Sequence, residues 1–216
     1  MMNHFLMTLP SSLSSHHLCL ILVILHQVFS VLSHTEDDVT RFKLKANNMV
    51  PFVIPEMPQH TLSVVYLHTT IKSGNKINGY EIIDEPVNVT WPAKAGSYYT
   101  LFMIGPDAPV REQPMDKNWL HWLVTNIKGN DVKGGDKIAE YCGSLAGYER
   151  GPHWIVYVVY ENSSGKETKF DEALIAKGDP YAKRTSFDLV NFTQKYGMRG
   201  PVAANFAGLD LRYGQQ

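Results

Sequence analysis

The chain has 216 residues, of which 44% are hydrophobic and 11% aromatic, so it can form an ordinary globular core and is not a disordered chain. Its 20 Lys and Arg residues nearly balance its 21 Asp and Glu residues, and the formal charge of −1 argues against general DNA or RNA binding and against adsorption onto an anionic membrane. Two cysteines are too few for a disulfide framework or a four-cysteine zinc site. Stability must therefore come from packing.

The first segment has the pattern of a targeting signal. Residues 1–34 contain no Lys, Arg, Asp or Glu, and they are centred on the apolar run from Leu18 to Leu25. That run is shorter than the roughly 20 residues of a membrane-spanning helix, and Ser30 and Ser33 offer a cleavage region. The pattern predicts a signal peptide over 1–34, a single domain over 35–216, and a secreted, extracellular protein without a transmembrane span in its mature chain. An uncleaved signal anchor is the alternative, because the amino terminus lacks Lys and Arg.

Three Asn-x-Ser/Thr acceptor patterns, at Asn88, Asn162 and Asn191, predict a glycoprotein. Asn162 is the one that lies in an evident turn, over 161–166. We therefore expect its side chain to be accessible.

After a proline-rich stretch at 50–58, short apolar runs alternate with turn residues. Runs rich in β-branched and aromatic residues predict strands. Long helical crossovers, which a parallel sheet requires, are missing between these runs, so we predict an all-β fold, an antiparallel β-sandwich. One helix is predicted near the end, with Ser186 as its N-cap and Gly197 at its stop. The predicted strands are 62–68, 87–91, 98–104, 119–127 and 153–161.

Two of the histidines that follow the predicted signal peptide lie on predicted strands. Alternation along 119–124 places Trp119, His121 and Leu123 on one face. Two interpretations of His121 stay open: a site residue flanked by aromatic rings, or a core histidine hydrogen-bonded to a backbone carbonyl. His153 opens a strand directly after a glycine and proline loop, and strand ends are where such folds build sites.

Asp107 follows the strand 98–104. Its carboxylate could orient an imidazole or cap a turn, and the spacing favours the turn cap slightly. Asp107, His121 and His153 lie far apart in sequence without a His-x-His pair, so we predict no metal site. The chain also lacks a Gly-x-Ser-x-Gly elbow, a phosphate-binding glycine loop and a dinucleotide fingerprint. We therefore expect no enzyme and no cofactor, and a degenerate hydrolase using His153 would need a nucleophile that the sequence does not show.

Several segments together, in their order and spacing, resemble the phosphatidylethanolamine-binding protein family. The resemblance extends over most of residues 50–206, and with the predicted signal peptide the chain is similar to exported insect-type members. It implies a non-enzymatic, Greek-key β-sandwich with a few short peripheral helices and a small pocket for an anion such as phosphate or a phospholipid headgroup. The segments that carry it are Gly105 to Arg111, Trp119 to Ile127, Tyr141-Cys142-Gly143, Gly151-Pro152-His153, Phe187 to Tyr196 and Gly200 to Phe206.

The resemblance also implies the site residues, because each matches a position of the family's motifs. Imidazole N–H groups and a glycine backbone suit a phosphate oxygen. The implied ligand-binding residues are Asp107, His121 and His153, with Trp119, Pro109 and Gly143 lining the pocket.

This chain departs from the family's pattern at three positions near the implied pocket. Gly105 stands where the family has its first acid, Ile155 replaces a tyrosine, and Leu145 stands near the mouth. A different or more apolar ligand is therefore the alternative to phosphate.

Two functions of different class follow from these observations. The first is a secreted binding protein that holds a small anionic or amphiphilic ligand. The second is an extracellular protein-interaction module, such as a protease inhibitor or a signalling modulator, with a degenerate pocket.

Overall fold

The computed structural model describes residues 15–107, 117–143 and 152–209. The chain divides into two compact units, residues 1–38 and 39–216. In the first unit the described residues form the first part of helix α1 (Ser15–Ala46), in which apolar side chains such as Leu25 and Val31 are exposed. Within the described ranges, no helix is both long enough and apolar enough to cross a membrane. The signal peptide stays a prediction.

The second unit is built on strands, and its described residues also form α-helix α2 (Leu189–Lys195) and four short 3-10 helices. The described strands are β1 (His60–Thr61), β2 (Ser63–Val65), β3 (Asn75–Ile77), β4 (Asn88–Thr90), β5 (Tyr98–Gly105), β6 (Trp119–Lys128), β7 (Asp136–Ala139), β8 (His153–Glu161) and β9 (Arg199–Leu209). The main sheet has the strand order β1-β9-β8-β5-β6-β7, and β3 also pairs with β9. β2 and β4 form a separate two-stranded sheet.

Both faces of the main sheet are covered, which explains why β5 and β8 are apolar at nearly every position. On one face Leu101 and Tyr157 pack with Val64 of the two-stranded sheet. On the other face Phe102 packs with Phe192 of α2 at a ring-centroid distance of 5.5 Å. Each large apolar side chain buried in this way stabilises the fold by about 1.5–3 kcal/mol.

The predicted mostly-β fold is confirmed, but the purely antiparallel arrangement is wrong. β1 and β3 both pair with β9 in parallel. The sequence concealed these pairs because β9 contains Gly, Pro and Ala, which are depleted in strands, and because its partners lie more than 100 residues earlier in the chain. Each predicted run contains an observed strand, whereas β1, β3, β7 and β9 were not predicted. The sandwich and its Greek-key connections stay predictions.

The predicted helix near the end is present as α2, with a different N-cap. Asp188 accepts a hydrogen bond of 2.9 Å from the backbone N–H of Asn191, whereas Ser186 lies outside the helix with a φ of 57°. Gly197, with a φ of 59°, follows the last turn. The Ser186 assignment is wrong because Asp188 lies nearer to the first helical turn.

The expected accessibility of Asn162 is also wrong. Its side chain is wholly buried, accepts a 2.8 Å hydrogen bond from Thr100 and donates a 2.9 Å hydrogen bond to Asn126. The side-chain amide that would carry a glycan thus joins β5, β6 and the end of β8. Asn88 and Asn191 are exposed.

Candidate functional site

The candidate site lies at one end of three neighbouring strands, β8, β5 and β6. β5 is antiparallel to both neighbours, so its last residues meet the first residues of β6 and β8. Gly105 pairs with Trp119, and Asp107 accepts a 2.7 Å hydrogen bond from the backbone N–H of Trp154. Because neighbouring strands lie about 4.8 Å apart, β6 and β8 begin about 10 Å from each other.

A β-bulge sets the position of His121. The register between β5 and β6 shifts by one residue between Leu120 and Trp122, which leaves His121 as the extra residue. Leu120 and Leu123 consequently share the core cluster that also contains α2 residues. The predicted alternation, with Leu123 on the face of Trp119 and His121, is wrong because the bulge inverts the pleat.

His121 is wholly buried, and its contacts define its protonation chemistry. Its Nδ1 lies 2.8 Å from the Cys142 carbonyl oxygen, and since a carbonyl only accepts, Nδ1 carries the hydrogen. The predicted hydrogen bond to a backbone carbonyl is therefore made by Nδ1. A ligand would have to contact the other ring nitrogen, Nε2. Nε2 donates a hydrogen bond only when the ring is protonated, because the neutral ring with hydrogen on Nδ1 has an acceptor at Nε2.

Trp119 connects this histidine to a buried cation. The Trp119 and His121 ring centroids lie 4.6 Å apart in an edge-to-face arrangement. Arg184 places its guanidinium carbon 5.6 Å from the centre of the Trp119 ring, a cation–π contact. The three side chains form a continuous stack of buried groups at the start of β6.

Arg184 is 1% exposed, and its guanidinium is held by backbone carbonyls. It donates to Leu120 and His121 at 3.0 and 3.2 Å, and to Ile175 and Ala176 at 3.4 and 3.2 Å. Burial lowers the pKa of this guanidinium below its ordinary value. In the described part of the chain no carboxylate forms an ion pair with it, so its direct contacts are carbonyl oxygens and the Trp119 ring, while Asp179 and Glu140 act on its charge from farther away.

The sequence analysis missed Arg184, because its neighbours gave no sign of burial. Lys183 is exposed and pairs with Asp179, which makes this stretch look like an ordinary basic surface. A signal would have come from pairing between segments 117–120 and 184–187, but that pairing depends on the fold.

Gly143 lies against the backbone of Ile82 and Ile83, where an added Cβ would collide with the Ile82 carbonyl oxygen. The same oxygen accepts a 2.7 Å hydrogen bond from the Tyr141 hydroxyl. Gly143 is therefore required for close backbone packing beside His121 and Cys142.

His153 is wholly buried at the first position of β8, where it pairs with Leu209 of β9. Asp107 binds the residue after His153 through the backbone, so the carboxylate fixes the start of β8 to the end of β5. Ile155 lies in the core with no exposure. Pro109 and Leu145 lie outside the described residues.

The structure thus brings five of the six predicted residues to one end of the sheet, in two groups on either side of the end of β5. Trp119, His121 and Gly143 form one group, and Asp107 and His153 form the other. Within the described ranges, no three His, Cys, Asp or Glu side chains are grouped so that they could hold a metal ion.

Comparisons with known proteins bear on the family and the fold. The sequence profile of the family described as "Phosphatidylethanolamine-binding protein" matches residues 64–206. The chain is 35% identical over 174 residues to a protein named putative odorant-binding protein A5 from Drosophila melanogaster, covering 80% of this chain and 81% of that one. It is 28% identical over 162 residues to a 26 kDa secreted antigen from Toxocara canis, covering 74% of this chain and 60% of the antigen.

Solved structures share the fold. A phosphatidylethanolamine-binding protein from Plasmodium vivax superposes with a TM-score of 0.64 at 24% identity, covering 78% of this chain and 95% of that one. A carboxypeptidase Y inhibitor, solved in complex with its cognate proteinase, superposes with a TM-score of 0.63 at 19% identity, covering 80% of this chain and 95% of the inhibitor.

Proposed function

Since the chain belongs to the phosphatidylethanolamine-binding protein family, we propose that it is a secreted, non-enzymatic binding protein for a small anionic or amphiphilic ligand. The ligand, of the phosphate or phospholipid-headgroup type, binds where β5 ends and β6 and β8 begin. Asp107, His121 and His153 hold it, and Trp119, Pro109 and Gly143 line the pocket.

The observation that carries this proposal is the buried Arg184 cation in contact with Trp119, which in turn contacts His121. A charge held by carbonyl dipoles in a medium of low dielectric acts over a longer distance than one screened by water. It favours an anion at this end of the sheet, although the whole chain carries a formal charge of −1. The cation itself is covered, so it contributes potential rather than a direct hydrogen bond.

Export of the protein is supported by two independent features. Two relatives are named as an odorant-binding protein and as a secreted antigen. The apolar, uncharged residues 1–34 have the composition of a signal peptide.

A titration with phosphate and with phosphorylethanolamine at several pH values tests the proposal. Because Nε2 of His121 donates only in the protonated ring, affinity should fall by about tenfold per pH unit once the imidazolium loses its proton. The His121→Ala variant should lose binding. The readout of binding is the NMR shifts at 119–121 and 153–154. The matched control is His68→Ala, an exposed histidine outside the site, which should bind as the unmodified protein does. Affinity that is independent of pH and unchanged in His121→Ala would contradict the proposal.

A second candidate function is extracellular protein binding, as in the fold neighbour that inhibits carboxypeptidase Y. Exposed apolar side chains favour it: Tyr80, Ile83 and Val87 are 52%, 39% and 54% exposed on the segment that packs against Gly143. Capture of an extracellular partner that survives His121→Ala but is lost on Tyr80→Ser with Val87→Ser would support this function. Capture lost in His121→Ala would support the ligand pocket.

A further inference from the structure

A second cleft lies at the opposite end of the central strands. It has a volume of about 240 Å³, and six of its lining residues are His60, Pro92, Lys94, Tyr99, Glu161 and Arg199. We call it the Glu161 cleft. β8 runs from His153 at the candidate site to Glu161 here, and nine strand residues span about 26 Å. The two regions are therefore separate.

A buried carboxylate organises this cleft. Glu161 is 4% exposed, accepts hydrogen bonds from Ser97 at 3.0 Å and Lys94 at 3.3 Å, and forms an ion pair with Arg199 at 3.1 Å. Three partners satisfy the carboxylate without solvent. Glu161 therefore anchors two cations from distant parts of the chain, one before β5 and one at the start of β9.

The two cations remain open to solvent on their other sides. The Lys94 and Arg199 side chains are 73% and 56% exposed, against 6% for Glu161. An ammonium has three N–H donors and a guanidinium has five, so one contact to Glu161 leaves donors available on each. A solute entering the cleft therefore meets the two exposed cations before the buried carboxylate.

The local charge is positive. Among the lining side chains, two cations and one carboxylate leave an excess of one positive charge. Buried Tyr99 supplies an apolar wall. The volume is below the roughly 300–1,000 Å³ typical of sites for drug-sized ligands, so the cleft suits a small solute.

We propose that the Glu161 cleft is a second ligand site, in which Lys94 and Arg199 bind the phosphate or carboxylate group of a small anion. Glu161 is a positioning residue, which holds both cations at the spacing that lets one oxyanion bridge them. This site does not depend on the function proposed for the other end of β8.

Titration of the full chain with inorganic phosphate and, separately, with acetate tests the proposal, with backbone amide NMR shifts and calorimetry as readouts. We expect saturable shifts at Lys94, Glu161 and 199–200. Arg199→Gln and Lys94→Gln should each weaken binding there roughly tenfold, which is the loss of one charged hydrogen bond. The matched control is Lys76→Gln, which should have no effect. Lys76 is an exposed lysine of β3, and it pairs with the far end of β9. A response to phosphate alone identifies a phosphate ligand, and a response to acetate alone identifies a carboxylate.

The two ends of β8 give distinguishable outcomes. Shifts confined to 119–121 and 153–154 would overturn the second site and leave the first supported. Shifts confined to the Glu161 cleft would support the second site and contradict the first. Binding that Lys76→Gln weakens as much as Arg199→Gln would reflect general attraction to surface lysines and would also overturn the second site. Lys94→Gln leaves Ser97 and Arg199 on Glu161, so this variant keeps the buried carboxylate satisfied.

Discussion

The two ends of the central strands hold positive charge in opposite ways. At the candidate site Arg184 is buried and its charge is offset by four backbone carbonyls. In the Glu161 cleft the carboxylate is buried, and the cations Lys94 and Arg199 reach into solvent. The first arrangement cannot rearrange without disturbing the fold, whereas the second can exchange its partners for a solute or for salt ions.

This difference separates a buried charge that stabilises the fold from exposed charges that can bind a solute. The buried guanidinium makes hydrogen bonds that carry its full charge, and hydrogen bonds to a charged group contribute about 1.5–3 kcal/mol each. The ion pairs of the cleft have a buried carboxylate but an exposed cation, and a pair open to solvent in this way contributes about 0–1 kcal/mol and weakens with salt. The candidate-site end should therefore be rigid and insensitive to salt, and the Glu161 cleft should be stable with or without either of its cations.

The largest expected effect is that of Arg184→Met. Loss of the guanidinium removes its charged hydrogen bonds to four backbone carbonyls, three of which keep a backbone N–H donor, so we expect the free energy of unfolding to fall by about 3 kcal/mol. The matched variant is Arg199→Met at the other end, which should cost about 0.5 kcal/mol at low salt and nothing measurable at high salt. Urea unfolding at two salt concentrations measures both. Equal losses in the two variants would remove the distinction between the ends.

Glycine substitutions sharpen the comparison at the level of the backbone. Gly143→Ala places a Cβ against the Ile82 carbonyl, which cannot move independently, so we expect a loss of about 2–3 kcal/mol. Gly165→Ala, beside the Glu161 cleft, meets the ends of the Glu161, Ser97 and Arg199 side chains at 3.0–3.5 Å and has a φ of 66°, so we expect about 1 kcal/mol.

Gly178→Ala is the control for both glycine variants, because nothing lies within 4 Å of the added atom. Its midpoint of thermal unfolding should match that of the unmodified protein. A Gly143→Ala protein as stable as the Gly178→Ala protein would show that the backbone at Ile82 can shift to accommodate the added Cβ.

A buried tyrosine cluster beside Cys142 predicts a pH effect. Tyr66 lies 3.0 Å from the Tyr141 hydroxyl and 2.8 Å from the Tyr157 hydroxyl, and burial raises the pKa of all three phenols above the ordinary value of about 10. Above that pH the folded protein keeps protons that the unfolded chain loses. The free energy of unfolding should therefore be insensitive to these groups below pH 10 and should decrease as pH rises further.

Urea unfolding between pH 8 and pH 11 measures this effect. Tyr66→Phe should cost about 1 kcal/mol at neutral pH and should make the alkaline decrease shallower, because one titrating phenol is gone. Tyr80→Phe, which removes a half-exposed phenol, should leave the decrease unchanged. A decrease of the same steepness in Tyr66→Phe would show that its proton is not linked to folding.

The sequence predicts local elements better than it predicts their meeting points. β5 and β8 could be identified because a strand buried on both faces is apolar throughout, and α2 because it has helical spacing and a terminal glycine. The β9 strand, with Gly200, Pro201 and several alanines, has no such pattern, since its stability comes from pairing with β8 and two short parallel partners. Whether a segment forms a helix or a strand depends on its own residues, whereas the strand it pairs with depends on distant parts of the chain.

The same limit applies to the candidate site. The family resemblance implied His121, but the bulge that positions it is a property of its register with β5. Arg184 carries no sequence signal at all, because burial beside Trp119 arises only when segment 184–187 pairs with segment 117–120. The Glu161 cleft was missed for a related reason, since its two cations lie more than 100 residues apart in the chain.

The smallest effect concerns α2, the segment that joins the two ends: it follows Arg184 and leads into β9 at Arg199. Asp188→Ala removes the side-chain acceptor of the Asn191 N–H, so it should cost about 1 kcal/mol. Ser186→Ala, at the position that the sequence suggests as the cap, should cost nothing measurable. Because Leu189 and Phe192 remain packed on the sheet, the loss in Asp188→Ala should appear as faster hydrogen exchange in the first turn of α2. If exchange also speeds up at both Arg184 and Arg199, α2 transmits motion between the ends; if it stays local, the two ends respond independently to their ligands.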